Sequence, residues 1–181
     1  MTEEWAAGPI DGVTQRSLPL HADPRGAFRE LWRASWTDGL GTRFVQSNLS
    51  RSRAGALRGM HFHRRQADLW VVIEGRAVVA LADLRPMRDG TAHKPPVATV
   101  DLTVGDALFL PEWVAHGFFA PEEMALIYFV TQEFDGSDEL GFAWDDPQVG
   151  IPWPSRDVIL SERDRSNPSL GEALAGISNG S

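Results

Sequence analysis

No cysteine occurs in this chain, which excludes disulfides, thiol nucleophiles and zinc–thiolate centres. Positive charge is also scarce. Seventeen Lys and Arg stand against twenty-five Asp and Glu, for a net charge of −8 and a pI near 5.0. Non-specific nucleic-acid binding needs a basic surface and is excluded on that balance. A phosphorylated small molecule is not, because a few arginines can line one pocket of an acidic protein. No apolar stretch approaches the ~18 residues of a membrane span. The opening Met1-Thr2-Glu3-Glu4-Trp5 is acidic with no apolar run behind it, unlike a secretory signal. The expectation is a cytoplasmic protein with no nucleic-acid or membrane partner. Runs of helical periodicity are few, and nothing repeats at a solenoid period.

What the chain does contain is short β-rich runs punctuated by seventeen Gly and twelve Pro. Val71-Val72-Ile73, Ala77 to Ala82, Val97 to Leu102, Ala107 to Leu110 and Ala125 to Thr131 read as strands. Glu74-Gly75 and Val104-Gly105-Asp106 read as tight hairpin turns. Together they predict an all-β sandwich or barrel. One short helix fits between Arg29 and Gly39. Another begins at Ser161-Glu162-Arg163-Asp164, with Ser161 as its cap. A length of 181 residues with 43% hydrophobic content suits a single domain with a real core. Its expected extent is residues 1–154, followed by a C-terminal extension over 155–181 whose Gly-, Ser- and Asn-rich end frays.

Chemistry concentrates in two short runs, Arg58-Gly59-Met60-His61-Phe62-His63 and Ala115-His116-Gly117-Phe118. Histidine is the side chain whose ordinary pKa suits a base at neutral pH. His61 is a candidate base for a carbon acid. Arg58 and His116 are candidate donors to an enolate oxygen. Tyr128 is the only tyrosine, so no other residue of its type competes for the role of a neutral proton donor. Asp23 and Gly26 read as turn formers, Trp144, Trp153 and Pro154 as packing residues, and His21 and His93 as exposed.

The chain resembles the dTDP-4-dehydrorhamnose 3,5-epimerases, a branch of the cupin superfamily. The resemblance rests on Asp23-Pro24-Arg25-Gly26-Ala27-Phe28-Arg29-Glu30, Gln46-Ser47-Asn48-Leu49-Ser50, Leu57 to Phe62, Asp83-Leu84-Arg85, Ala115 to Phe118, Ile127-Tyr128 and Trp144 through Pro154, in that order. It implies a cupin double-stranded β-helix (jelly roll), a homodimer formed by strand exchange, and no cofactor. It further implies that His61 is the catalytic base, oriented by Asp164, and that Tyr128 is the acid on the opposite face. Arg25, Glu30, Gln46, Asn48 and Arg58 would line the substrate site, with His116 beside them.

Two residues depart from the family's pattern. His63 stands where Gln or a small residue is usual, and Asp68 where a lysine associated with the substrate's phosphates is usual. Both departures fit a different pattern, the general metal-cupin motif. Gly55, His61-Phe62-His63, Asp68 and Gly75 match its first part, with Asp for the usual Glu. Gly105, Pro111 and His116 match the second, although Trp113 and Ala120 replace its usual Gly and Asn. Period-two alternation puts His61 and His63 on one face of a strand. His61, His63, Asp68 and His116 would then suit Fe(II), Mn(II), Ni(II) or Zn(II); without a metal, His63 and Asp68 would pair with each other.

The leading expectation is an epimerase of a 4-keto-6-deoxy sugar nucleotide. The alternatives are a metal-dependent oxygenase or isomerase acting on a non-nucleotide substrate, and a silent cupin that only binds a metabolite.

Overall fold

The computed structural model describes residues 5–37 and 42–178. Two antiparallel sheets face each other. The first holds β1 (Ala6–Ala7), β2 (Thr14–Ser17), β5 (Gln46–Ser52), β7 (Asp68–Glu74), β10 (Asp106–Leu110) and β12 (Met124–Val130), in the order β1-β2-β10-β7-β12-β5. The second holds β6 (Leu57–Phe62), β8 (Arg76–Asp83), β9 (Val97–Thr103), β11 (Val114–Phe119) and β13 (Leu140–Gly141), in the order β13-β6-β11-β8-β9. A separate hairpin joins β3 (His21–Asp23) to β4 (Gly26–Phe28). The helices are short: α1 (Ala34–Thr37), α2 (Arg85–Arg88), α3 (Glu162–Ser166) and α4 (Leu170–Ser178). None of them is long and apolar enough to cross a membrane.

The two sheets form a jelly roll, and its central strands are buried on both faces. On β7, Trp70 and Val72 point into the core between the sheets, while Leu69 and Val71 point outward under Leu18, Phe44 and Trp32. On β8, Val79 and Leu81 face inward, while Ala80 and Ala82 face outward under Phe142, Ile151 and Trp153. Burial on both sides is why these strands read as unbroken apolar runs rather than alternating ones.

Both expected hairpin turns are instead corners between the sheets. Gly75 carries the chain from β7 to β8, and Gly105 carries it from β9 to β10; in each case the two strands belong to opposite sheets. At Gly75, φ is +68° and an added Cβ would lie 2.3 Å from the Glu123 carbonyl oxygen. A left-handed glycine serves a corner as well as a hairpin, and local sequence does not say which sheet the next strand joins.

The frayed C-terminus also needs correcting. Residues 170–178 form α4, with Leu170 fully buried and Leu174 and Ile177 packed beside it on the outer face of the second sheet. Their spacing is that of one helix face; residues 179–181 lie outside the described ones. The helix expected between Arg29 and Gly39 is α1; Gly39 itself lies outside the described residues. Asp23 and Gly26 flank the β3–β4 turn as expected, and His21 and His93 are exposed.

Candidate active site

A cavity of ≈ 240 Å³ opens between the sheets. The first sheet contributes Ser50, Asp68, Trp70, Leu126 and Tyr128 to its wall, and the second Arg58, His61, His116, Gly117 and Phe118. His63, Gln66, Glu139 and Arg163 complete its lining.

Arg58 and His61 are three residues apart, so a regular strand would point them to opposite faces. A β-bulge in β6 prevents that. His61 pairs with His116 and Arg58 with Phe118, so β6 advances three residues while β11 advances two. The extra residue returns both side chains to the cavity. The bulge centres on Gly59, whose φ is +128°. An added Cβ there would lie 2.7 Å from the Gly117 Cα and 3.0 Å from the His116 carbonyl oxygen, so the two paired strands approach each other glycine against glycine. The Arg58 guanidinium is held by the Ser52 hydroxyl and the Arg51 carbonyl, both at 2.9 Å.

Behind His61 stands Asp164, 103 residues further along the chain. Helix α3 begins at Ser161, whose Oγ accepts from the Asp164 N–H at 3.0 Å. That cap aims the buried Asp164 carboxylate at His61, and Nε2 of His61 donates to Oδ1 at 2.6 Å. A carboxylate can only accept, so Nε2 carries the proton and Nδ1 keeps the lone pair. Burial pushes the Asp164 carboxyl up, but bonds from His61, Ser161 and the Gly59 N–H outweigh it and hold the group below the ordinary carboxylate value.

Tyr128 lies across the cavity on β12, opposite Asn48 and Trp70 in register. Burial raises its phenol above 10.0, and the negative charges of Asp68 and Glu139 raise it further against a smaller opposing effect of Arg58. It therefore stays protonated through the neutral range. With one tyrosine in the chain, tyrosinate absorbance follows this residue alone. An alkaline titration of the folded protein should show a midpoint above that of the same protein in denaturant. Equal midpoints would mean the phenol is not shielded from water.

His116 does not match its expected role as a donor. Its Nδ1–H donates to the Val114 carbonyl at 3.0 Å, and burial lowers its pKa to about 4, so the ring is neutral and presents a bare Nε2 to the cavity. The expected substrate residues divide. Gln46 and Asn48 share the Ser50 face of β5 and continue it beyond the cavity, with Gln46 Nε2 donating to Asn48 Oδ1 at 3.0 Å. Arg25 and Glu30 are away from the cavity of their own chain; Arg25 pairs with Asp23 and Glu30 with Arg33. Their segment is the separate β3–β4 hairpin and the stretch after it, which no cavity strand pairs with.

The four-residue metal set is also corrected. His63, Asp68 and His116 converge, but His61 is not among them, being held by Asp164. Nor do His63 and Asp68 pair. His63 bonds to the Asp138 carbonyl, and Asp68 accepts from Gln66 and Trp70. Glu139, Arg163, Gln66 and Trp70 line the cavity without any signal in the sequence. Arg163 pairs with Glu139 at 3.2 Å, one position before Asp164 on α3.

Residues 7–172 match the family model for dTDP-4-dehydrorhamnose 3,5-epimerase. The chain is 36% identical over 171 residues to the dTDP-4-dehydrorhamnose 3,5-epimerase of Methanothermobacter thermautotrophicus, spanning 90% of this chain and 92% of that one. Among solved structures, it matches a Legionella pneumophila dTDP-6-deoxy-D-glucose-3,5-epimerase with a TM-score of 0.82 at 29% identity, covering 93% of both chains. It also matches NovW, a 4-keto-6-deoxy sugar epimerase from the novobiocin cluster of Streptomyces spheroides, with a TM-score of 0.81 at 30% identity. That match covers 96% of this chain and 90% of NovW.

Proposed function

Because this chain belongs to the dTDP-4-dehydrorhamnose 3,5-epimerase family, we propose that it epimerises a dTDP-linked 4-keto-6-deoxy sugar at C3, C5 or both. It is an isomerase. The observation that carries the assignment is the His61–Asp164 pair on one sheet wall with Tyr128 on the other. Inverting a carbon beside a ketone requires a proton to leave one face and another to arrive on the opposite face. His61 Nδ1 takes the first proton, with Asp164 fixing the tautomer and stabilising the imidazolium. Tyr128 supplies the second. Arg58 is the cation placed to stabilise the enolate between the two steps. This proton traffic needs no cofactor. The natural setting is a cytoplasmic route to a deoxysugar for a cell-surface polymer or a glycosylated natural product.

A homodimer fits what the single chain leaves open. β5 is the edge strand of its sheet, and Leu20, Phe28 and Leu49 are exposed. Exchange across that edge would bring the β3–β4 segment, with Arg25 and Glu30, to the partner's Gln46 and Asn48 face.

Mass spectrometry of dTDP-4-keto-6-deoxyglucose incubated with the protein in D2O tests the assignment. Two deuterons taken up mean a 3,5-epimerase, and one means a single-centre epimerase. No uptake at any pH between about 6 and 9 would overturn it.

A further inference from the structure

The cavity holds a second constellation that this proton transfer does not use. His63 follows β6, Asp68 opens β7 and His116 lies within β11. All three side chains are buried, and one ligand atom from each lies within 4.8 Å of the others. Each imidazole has its Nδ1–H committed to a backbone carbonyl, His63 to Asp138 at 2.9 Å and His116 to Val114 at 3.0 Å. In the neutral rings, both Nε2 atoms are therefore bare lone pairs. The His116 Nε2 lies 3.9 Å from Asp68 Oδ2. Asp68 is oriented by two neutral donors, Gln66 Nε2 at 2.9 Å and Trp70 Nε1 at 3.2 Å. Three acceptors thus converge with no donor shared among them, an arrangement that repels unless a cation joins it.

We propose that His63 Nε2, His116 Nε2 and the Asp68 carboxylate bind one divalent transition-metal ion. Ligand atoms sharing one ion at ~2.1 Å stand ~3.0–3.6 Å apart, so the 3.9 Å pair closes by about half an ångström and the widest pair of the set, within 4.8 Å, by about one, within reach of side-chain rotation. Two imidazoles and a carboxylate suit Zn(II), Fe(II), Mn(II), Ni(II) or Co(II). Carbonyl bonds to the far ring nitrogens are how proteins orient metal-bound histidines. The Asp138 carbonyl is itself fixed, because its carboxylate accepts from the Arg64 and Arg65 N–H groups and from Arg64 Nε. All three ligands line the cavity, so the ion's remaining positions face its interior. His61 stays outside the set, which leaves its lone pair free. The site rests on ligand geometry alone and does not depend on which reaction the cavity hosts.

Co(II) titration of tag-free, chelator-stripped protein tests it, followed by visible absorption and by metal analysis after gel filtration. One equivalent per chain is expected, with the spectrum of a nitrogen-ligated site. Asp68→Asn, His63→Gln and His116→Gln, each shown to be folded by circular dichroism, should weaken binding at least ~100-fold. His61→Asn and the exposed-residue control His93→Gln should bind as the parent does. No stoichiometric uptake by the parent, or a spectrum of merely hydrated Co(II), would overturn the site. So would loss of binding in His61→Asn equal to that in Asp68→Asn. Because the readout is binding, a negative result leaves the epimerase assignment untouched, and a failed D2O experiment leaves this one untouched.

Discussion

His61→Asn is expected to lower the rate of solvent deuterium entry into the keto sugar by about 10²- to 10⁴-fold, the range typical of losing a positioned general base. Asparagine removes the base, but its amide is too short to reach Asp164. His61→Gln is its companion: the longer amide reaches the Nε2 position and can still donate to the buried Asp164, which accepts at 2.6 Å from His61 in the parent. An equal loss there reports proton abstraction rather than an orphaned carboxylate. His61→Gln should change thermal stability little. Asp164→Asn should retain more activity than His61→Asn, because it removes the orienting acceptor and leaves the base in place. A His61→Asn protein that exchanges protons at the parent's rate would exclude His61 as the base.

Gly59→Ala is expected to destabilise the fold by about 3–5 kcal/mol. A left-sided φ of +128° costs an alanine roughly 1–3 kcal/mol. Forcing its Cβ to 2.7 Å from the Gly117 Cα adds a comparable overpacking cost, since backbone cannot step aside as a long side chain can. Against a total of about 5–15 kcal/mol, this is a large share, and a melting-point drop of about 10 °C is expected. Gly90→Ala is the control: its φ is +69° with nothing within 4 Å of the added Cβ, so it carries the strain without the clash. Equal losses in the two variants would mean that the approach of β6 to β11 at the bulge is not tight. Gly59→Ala should also impair catalysis, because the bulge it distorts aims both Arg58 and His61.

The same bulge marks where the sequence stops being legible. Strands were readable wherever both faces are buried, as in β7 and β8, because β-branched and apolar residues then run together. His61 and His116 were readable from their immediate neighbours. That Arg58 and His61 share a cavity was not, because their spacing contradicts strand alternation and only the pairing with β11 reveals the extra residue. Asp164 entered through family resemblance, since no spacing rule links residues 103 positions apart. Glu139 and Arg163 had no local signal at all; they reach the cavity only because the C-terminal segment folds back along β6. The corners at Gly75 and Gly105 read as hairpins because a turn glycine reports backbone shape and says nothing of the strand's destination. At α4 composition points the wrong way, since Gly, Ser and Asn suggest a loose end while Leu170, Leu174 and Ile177 carry the helical period that identifies it.

Placing His61 and Tyr128 on different sheets makes the sandwich a caliper. Facing sheets stand ~10 Å apart, and the side chains on each wall narrow that gap further. A thicker occupant would hold the jaws apart and break contact with one of the two groups, while a thinner one would touch only one at a time. Selection by gauge would precede any recognition of hydroxyls or phosphates. The gauge is set by the core residues behind the site, Val72, Val79, Leu81 and Leu108, which do not line the cavity yet fix how far apart a proton may leave and return.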